Sequence, residues 1–433
     1  MTKEITRRRL IQNAAATGLG AGIWLASSPA HASRRILGAN DRLNIGVVGV
    51  SGRGRDNLGG VEEENIVALC DINDDSLDRA KQDHPNAKLY NDFRKMLEQK
   101  DIDAVVVSTP DHVHAVAAAA AIKAGHHIYC EKPLAHSVWE ARRVTDLARQ
   151  HKRASQMGTQ IHALSNYRRV VEIIQSGAIG DITEAHSWAD RVWAGNGHPA
   201  ETPPVPKNIH WDLWLGPARE RPYNPAYIPA EWRGWWDFGN GTAGDMGCHH
   251  MDLPFWALGL HAPTTITAEG PPVSEENAPV WMIAHFDFPA RDKQPPVKLN
   301  WYNGGKRPSY FAEGKVPKWG DGTLFVGTKG MLLADYSSYV LLPETDFKDY
   351  VPPKPTIPDS IGHHKEWIEA CKHGTPTLCN FDYSGPLAET VLLGCLAYRT
   401  GATIEWDAKN LKAKGCPAAD AIIHPEFRKG WHI

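Results

Sequence analysis

Leu43-Asn44-Ile45-Gly46-Val47-Val48-Gly49-Val50-Ser51-Gly52-Arg53-Gly54 joins an apolar run to a glycine-rich turn, and the expected architecture follows from that junction. Residues 43–50 form a continuous apolar run, as in a strand buried on both faces of a parallel sheet. A glycine-rich turn follows at once. On the G-x-G-x-x-G frame it places Gly49, Ser51 and Gly54, with Gly52 directly after the serine. A turn of this kind combines a tight bend, close backbone approach to a diphosphate, and close helix–strand packing. Ser51 departs from the frame at its middle glycine. A second strand, 65–71, ends in Asp71, about 20 residues beyond the first glycine, where an acid accepts hydrogen bonds from ribose hydroxyls. The same acid would repel a 2′-phosphate, which favours NAD over NADP. Arg53 and Arg55 pull the other way, since either could reach a phosphate.

Outward from this turn, strands and helices alternate. Further strands are expected at 103–108 and 127–131, with helical stretches at 116–124 and 138–148. That alternation predicts a doubly wound parallel sheet, a Rossmann domain over residues 40–158. After residue 160 the texture changes. A helix at 166–176 leads to a strand at 182–190, and a loop-like region rich in Pro, Trp and Gly runs from 191 to 244. Alternating stretches at 264–270, 280–287, 297–302, 323–327, 331–335 and 339–342 predict a large open, mostly antiparallel sheet in a second α/β domain over 159–433. Helices resume at 364–373 and 383–400.

Polar clusters at strand ends carry the chemistry, because open α/β sheets bind ligands there. The third strand ends in Ser108-Thr109-Pro110-Asp111-His112-Val113-His114. His112 and His114 are two apart, which suits one face of an extended loop beside a cofactor; a histidine pair without a third ligand is a poor metal site. The fourth strand ends in Cys130-Glu131-Lys132-Pro133. Adjacent charges at a strand end are costly to desolvate unless each finds a partner. An ammonium at Lys132 could stabilise a developing alkoxide. In Gly244-Asp245-Met246-Gly247-Cys248-His249-His250-Met251-Asp252, Asp245 and His249 are four apart and share a helix face. A carboxylate beside an imidazole makes a usable general base. His249 and His250 point about 100° apart on a helix and do not suit one metal centre.

Composition bounds the rest. The chain has 433 residues, 42% hydrophobic and 22% charged, with formal charge −3. Residues 1–32 carry Lys3, Arg7, Arg8 and Arg9 against Glu4, so the remainder is still more acidic, which argues against nucleic acid or anionic lipid as a partner. Seven cysteines lie scattered without a C-x-x-C pair, a poor disulfide or zinc framework. Sixteen tryptophans are unusual. Trp232, Trp235 and Trp236 could stack on sugar rings, or could fill a core. Thr6-Arg7-Arg8-Arg9-Leu10-Ile11-Gln12, a weakly apolar stretch near 14–26 and Ala30-His31-Ala32 together resemble a twin-arginine export signal, residues 1–32, with a small-residue cleavage site. The expected location is the periplasm, with no stable membrane insertion after cleavage. That route carries folded proteins, which suits an enzyme that closes around its cofactor before export.

The strand-and-glycine opening, Glu131-Lys132-Pro133 and Gly244-Asp245-Met246-Gly247-x-His249 together resemble the Gfo/Idh/MocA oxidoreductase family, over about residues 43–407. The resemblance implies a Rossmann domain followed by an α/β domain whose open sheet often mediates homo-oligomers, dimers or tetramers. It implies Lys132 as the lysine that assists catalysis, and Asp245 and His249 as the acid/base pair; with the stacking tryptophans, which go beyond a minimal family member, the substrate is expected among Lys132, Trp232, Trp235, Trp236, Asp245 and His249. The glycine turn and the strand ends give the residues expected to hold NAD as Gly49, Ser51, Gly52, Arg53, Gly54, Asp71, Ser108, Thr109, Pro110, His112, His114, Glu131 and Lys132, and no metal is expected. The expected activity is hydride transfer from a sugar or polyol hydroxyl. Two readings stand beside it: glycoside cleavage through transient oxidation of the sugar, and a non-catalytic sugar-binding protein on the same fold.

Overall fold

A computed structural model describes residues 41–433, Asn196 and Lys293 excepted. The arginine-rich segment, the apolar stretch and the expected cleavage site lie outside the described residues. No described helix is long and apolar enough to cross a membrane.

The first sheet contains β1 (Asn44–Val48), β2 (Asn65–Cys70), β3 (Lys88–Tyr90), β4 (Ala104–Val107), β5 (His127–Cys130) and β6 (Ser155–Met157). All pairs are parallel, in the order β3-β2-β1-β4-β5-β6. Successive side chains leave opposite faces of a strand, so one sheet feeds two cores. Val48, Cys70, Val105 and Val107 join the larger core; Ile45, Val47, Leu69, Ala104 and Val106 join the smaller. Trp367 and Ile368, from the helix His363–His373, complete the smaller core. A helix from far along the chain thus returns to cover the first sheet. β3 and β6 were not expected: each has three residues, Lys88-Leu89-Tyr90 and Ser155-Gln156-Met157, too short and too polar to read as an apolar run.

The second sheet holds β7 (Ile182–Ala189), β8 (Thr265–Glu269), β9 (Met282–Phe288), β10 (Val297–Asn303), β11 (Gly322–Gly327), β12 (Gly330–Ala334), β13 (Tyr339–Leu342), β14 (Ile404–Asp407) and β15 (Lys412–Lys414). Their order is β13-β12-β11-β7-β10-β9-β8-β14-β15, antiparallel except where β7 meets β10. In β9, Met282, Ala284, Phe286 and Phe288 are buried and the residues between them half-buried, so one face is committed to the core. The 20-residue helix Phe381–Thr400 covers that face, with Gly394 against Phe286. It also packs on the helix Val138–Gln150 of the first sheet, where Arg142 and Glu389 form an ion pair at 2.7 Å.

Two expectations need correction. The helix expected at 116–124 starts earlier, at Asp111–Lys123, because Pro110 serves as its N-cap and the histidines join its first turn. The stretch 191–244 is not one loop. It holds the helix Trp211–Leu215 and the 3-10 turn Glu231–Gly234, and the helix Gly241–His250 begins inside it.

Candidate active site

A cavity of about 580 Å³ opens at the carboxyl ends of β1, β2, β4 and β5 and is closed from the other side by the tryptophan-rich stretch and the helix Gly241–His250. On the first wall lie Gly49, Ser51, Gly52 and Arg53. Gly54 lies beneath the turn, and its amide donates to the Ser51 carbonyl at 2.9 Å. A Cβ on Gly54 would collide with the Gly49 carbonyl, so this glycine serves helix–strand packing. Gly52 has φ 53° and ψ −124°, and a Cβ there would meet nothing within 4 Å. The bend therefore leaves open space on the cavity side where a diphosphate needs it. Asp71 accepts from the Val50 amide at 2.9 Å and the Asn73 amide at 3.0 Å, one to each carboxylate oxygen. Each oxygen keeps a lone pair for a ribose diol, and burial pushes this carboxyl above its usual range. These residues fit a dinucleotide: the turn would take the diphosphate and Asp71 the adenosine ribose.

Ser108, Thr109 and Pro110 line the cavity after β4, and Glu131 and Lys132 line it after β5. Glu131 accepts from Arg53 Nε at 2.9 Å and from Asn57 Nδ2 at 3.0 Å. It braces the glycine helix against β5. Lys132, before a cis peptide to Pro133, crosses the cavity. Its ammonium donates to both the backbone carbonyl and the carboxylate of Asp245, each at 2.6 Å.

Asp245 therefore does not steer His249, contrary to expectation. Its carboxylate accepts from Lys132, from Trp193 Nε1 at 2.7 Å and from Arg233 Nε at 3.2 Å. Burial pushes that carboxyl up, but Lys132 and then Arg233 outweigh it and hold it well below the usual range. His249 lines the same cavity one helical turn on, and its Nδ1 is buried without a hydrogen-bond partner. Burial, then the Lys132 charge, push the imidazole well below its ordinary value, with Asp245 opposing. The ring is neutral at physiological pH and able to take a proton. Asp252, three residues on, belongs elsewhere: fully buried, it pairs with His162 at 2.9 Å and accepts from the Tyr383 hydroxyl at 2.6 Å.

His112 and His114 are also corrected. On a helix they cannot share a face at a spacing of two. Both nitrogens of His112 face carbonyls of Trp214 and Phe238, and it does not line the cavity. His114 reaches the wall, but its nitrogens face the carbonyls of Pro133 and Thr109. Burial lowers both imidazoles, His112 to about 3. They fasten elements together. The tryptophans divide similarly. Trp232 lines the cavity beneath the Arg233 guanidinium, 4.3 Å from its ring centroid. Trp232 also belongs to the core that holds Trp235, Trp214, Tyr227 and Phe238, while Trp236 lies in the larger core beside Tyr398. Neither Trp235 nor Trp236 lines the cavity. His363 and His364 also stay outside it; His364 Nε2 meets Asn57 Oδ1 at 3.0 Å.

Sequence reasoning passed over Asp111, Trp193 and Arg233. Asp111 opens its helix at the cavity wall, where burial, opposed by Arg233 and Lys132, pushes its carboxyl up to about 8. Its place directly after a strand end was the available signal. Nothing local marks Trp193 or Arg233.

Two family models match the chain: "Oxidoreductase family, NAD-binding Rossmann fold" over residues 43–159, and "Oxidoreductase family, C-terminal alpha/beta domain" over residues 157–290. A glycosyl hydrolase family 109 protein of Solibacter usitatus is 33% identical over 199 residues, 41% of this chain and 44% of that protein. The inositol 2-dehydrogenase of Salmonella typhimurium is 33% identical over 153 residues, 33% of this chain and 45% of that enzyme. The matches thus span rather less than half the length of these curated relatives. Among solved structures, the WlbA dehydrogenase of Bordetella pertussis, in complex with NADH and UDP-GlcNAcA, shares the fold at TM-score 0.59 and 18% identity, over 84% of this chain and 99% of that one.

Proposed function

Because the chain belongs to the Gfo/Idh/MocA oxidoreductase family, whose two models together span residues 43–290, we propose that it is an exported NAD-dependent oxidoreductase acting on a sugar or polyol hydroxyl, with a tightly held cofactor. The observation that carries this reading is the contact between Lys132 and Asp245, 2.6 Å across a cavity that the glycine turn, Asp71 and His249 also line. Three motifs far apart in sequence meet on one space. When bound, NAD supplies the hydride acceptor. The neutral His249 takes the hydroxyl proton. Lys132, fixed by Asp245, donates a hydrogen bond to the same oxygen and stabilises its growing negative charge. Asp245 is itself fixed by Trp193 and Arg233, so the ammonium is held before substrate arrives. Asp71 favours NAD over NADP for the charge reason given above. The open nine-stranded sheet is the surface through which copies of the chain would pair, and residues 1–32 would direct it to the periplasm.

The test is NADH formation, followed by absorbance, across a panel of hexoses, inositols and uronic acids. Turnover of at least one member that Lys132→Ala and His249→Ala abolish supports the reading. Wild-type rates in both variants would overturn it. A second reading rests on the likeness to the family 109 protein: a glycosidase that oxidises and re-reduces the ring without net redox. Release of phenol from aryl glycosides without added NAD favours that reading.

A further inference from the structure

The adenosine end of the cavity is built largely by segments from outside the first sheet. Beyond Asp71 the wall passes to Asn91, Asp92 and Phe93, at the end of β3. Ile209 and Trp431 line the same cavity, from two stretches that the glycine motif does not announce. The first is tied along the end of β2. The His210 amide donates to the Ile72 carbonyl at 2.9 Å and the Asp74 amide to the Asn208 carbonyl at 3.0 Å, while Asn73 and Ile209 form a bridge. The second reaches its place in stages. His424 stacks on Trp139 at 4.0 Å between ring centroids. Arg428, its guanidinium almost out of solvent, donates to the Asp212 carbonyl at 2.6 Å and the Gly216 carbonyl at 3.1 Å. Trp431 then lies 5.9 Å from Phe93, with the Arg94 guanidinium 4.3 Å from its ring centroid. Arg94 is itself held by Asp92 at 2.7 Å. The indole is therefore fixed on the first sheet's own loop, lining the same cavity as the carboxylate that would take the ribose.

We propose that Ile209 and Trp431 form an adenine slot that retains the dinucleotide between turnovers. The inference rests on the NAD reading and deepens it. A flat apolar base, once past Asp71, finds an aromatic ring and an aliphatic side chain, each anchored by a separate set of backbone hydrogen bonds. Release of the base requires no change at the glycine turn, but it does require one of these two straps to give way. That makes the cofactor a resident group, as a compartment poor in free nicotinamide nucleotide demands.

The experiment uses the purified full protein, stripped of bound nucleotide, and two half-ligands, ADP-ribose and nicotinamide mononucleotide, titrated calorimetrically, with nucleotide retained by the unstripped protein after dialysis as a second readout. Stacking on an aromatic ring carries enough energy that Trp431→Ala should weaken ADP-ribose roughly ten- to a hundredfold. Nicotinamide mononucleotide affinity should not change, and retained nucleotide should fall. Trp431→Phe, which keeps a stacking face, should restore most of the ADP-ribose affinity. An unchanged ADP-ribose affinity in Trp431→Ala would overturn the slot, as would an equal loss for both half-ligands. A wild-type protein that binds neither half-ligand would instead overturn the NAD reading beneath it.

Discussion

The two walls of the cavity are built on different principles. The first wall is local. Its turn, its ribose acid and its polar strand ends each sit within a few residues of a strand terminus, and backbone groups do much of the work. The second wall is non-local. Asp245 draws Lys132 from 113 residues away, and Trp193 and Arg233 from 52 and 12 residues away. Damage to the first wall should therefore appear as lost folding and lost cofactor together. Damage to the second should separate chemistry from stability.

The sharpest test of that separation lies at the reacting end. His249→Ala removes the proton acceptor and should lower kcat/KM by about 10²–10⁴-fold, with Lys132→Ala costing about 10²–10³-fold. Since Asp245 acts by holding Lys132, Lys132→Ala with Asp245→Ala should be no worse than Lys132→Ala alone, within about 0.5 kcal/mol. A fully additive double variant would return Asp245 to His249 as its partner. The pH profile supplies an independent sign. The His249 imidazole lies well below its ordinary value, so the rate should fall only as pH drops below about 6.5. Among the charges pushing it down, that of Lys132 is the largest. Lys132→Met should therefore move that acid limb to higher pH.

On the first wall the expected loss is of another kind. Gly54→Ala places a methyl against the Gly49 carbonyl, where only backbone could yield. Loss of a tight turn at a core strand should cost about 3 kcal/mol or more, read as a drop in urea midpoint together with lost NAD binding. Normal stability with lost NAD binding would mean that the two walls respond alike, and the contrast would fail.

The contrast also explains how much was legible. Strands β1, β2, β4 and β5 announced themselves because a strand buried on both faces has no polar residue to interrupt it. β3 and β6 did not, because three-residue edge strands carry no period. Glu131, Lys132 and Asp71 could be placed by counting from strand ends. The partner of Asp245 could not. Helical spacing offered His249, and both do line one cavity. Yet a buried carboxylate takes whichever donors the tertiary fold delivers, and a cation at 2.6 Å outweighs a neighbour on the same helix. His112 and His114 misled for a related reason: Pro110 caps a helix that begins directly after it, and two positions then diverge. Nothing local separates tryptophans 232, 235 and 236; Trp232 shares a core with Trp235, and only the tertiary fold also brings Trp232 to the cavity wall.

That last distinction has its own test, smaller in effect than the turn but more discriminating. Trp235→Ala empties a site packed by Tyr227 at 4.9 Å and should cost about 3–5 kcal/mol, leaving the KM of the surviving protein unchanged. Trp232→Phe keeps most of the packing and should raise KM for substrate with a loss of about 1 kcal/mol or less. The reverse pattern would place Trp235 in the site.

A last test concerns Asp111, where the two walls touch. Its carboxyl titrates at about 8 in the fold against an ordinary 3.8. Below pH 4 the group is protonated in both folded and unfolded chains and contributes nothing to pH dependence. Between the two values the unfolded chain ionises while the fold retains the proton, so stability falls as pH rises; above pH 8 the penalty is constant. Asp111→Asn has the shape of the protonated acid and cannot ionise. Its urea midpoint should match wild type near pH 4 and exceed it progressively up to pH 8, while turnover at neutral pH stays close to wild type. A midpoint difference that shrinks with rising pH would mean that Lys132 and Arg233 keep Asp111 ionised. The cavity would then hold two buried carboxylates sharing two cations, and the single Lys132–Asp245 pair would no longer describe the second wall.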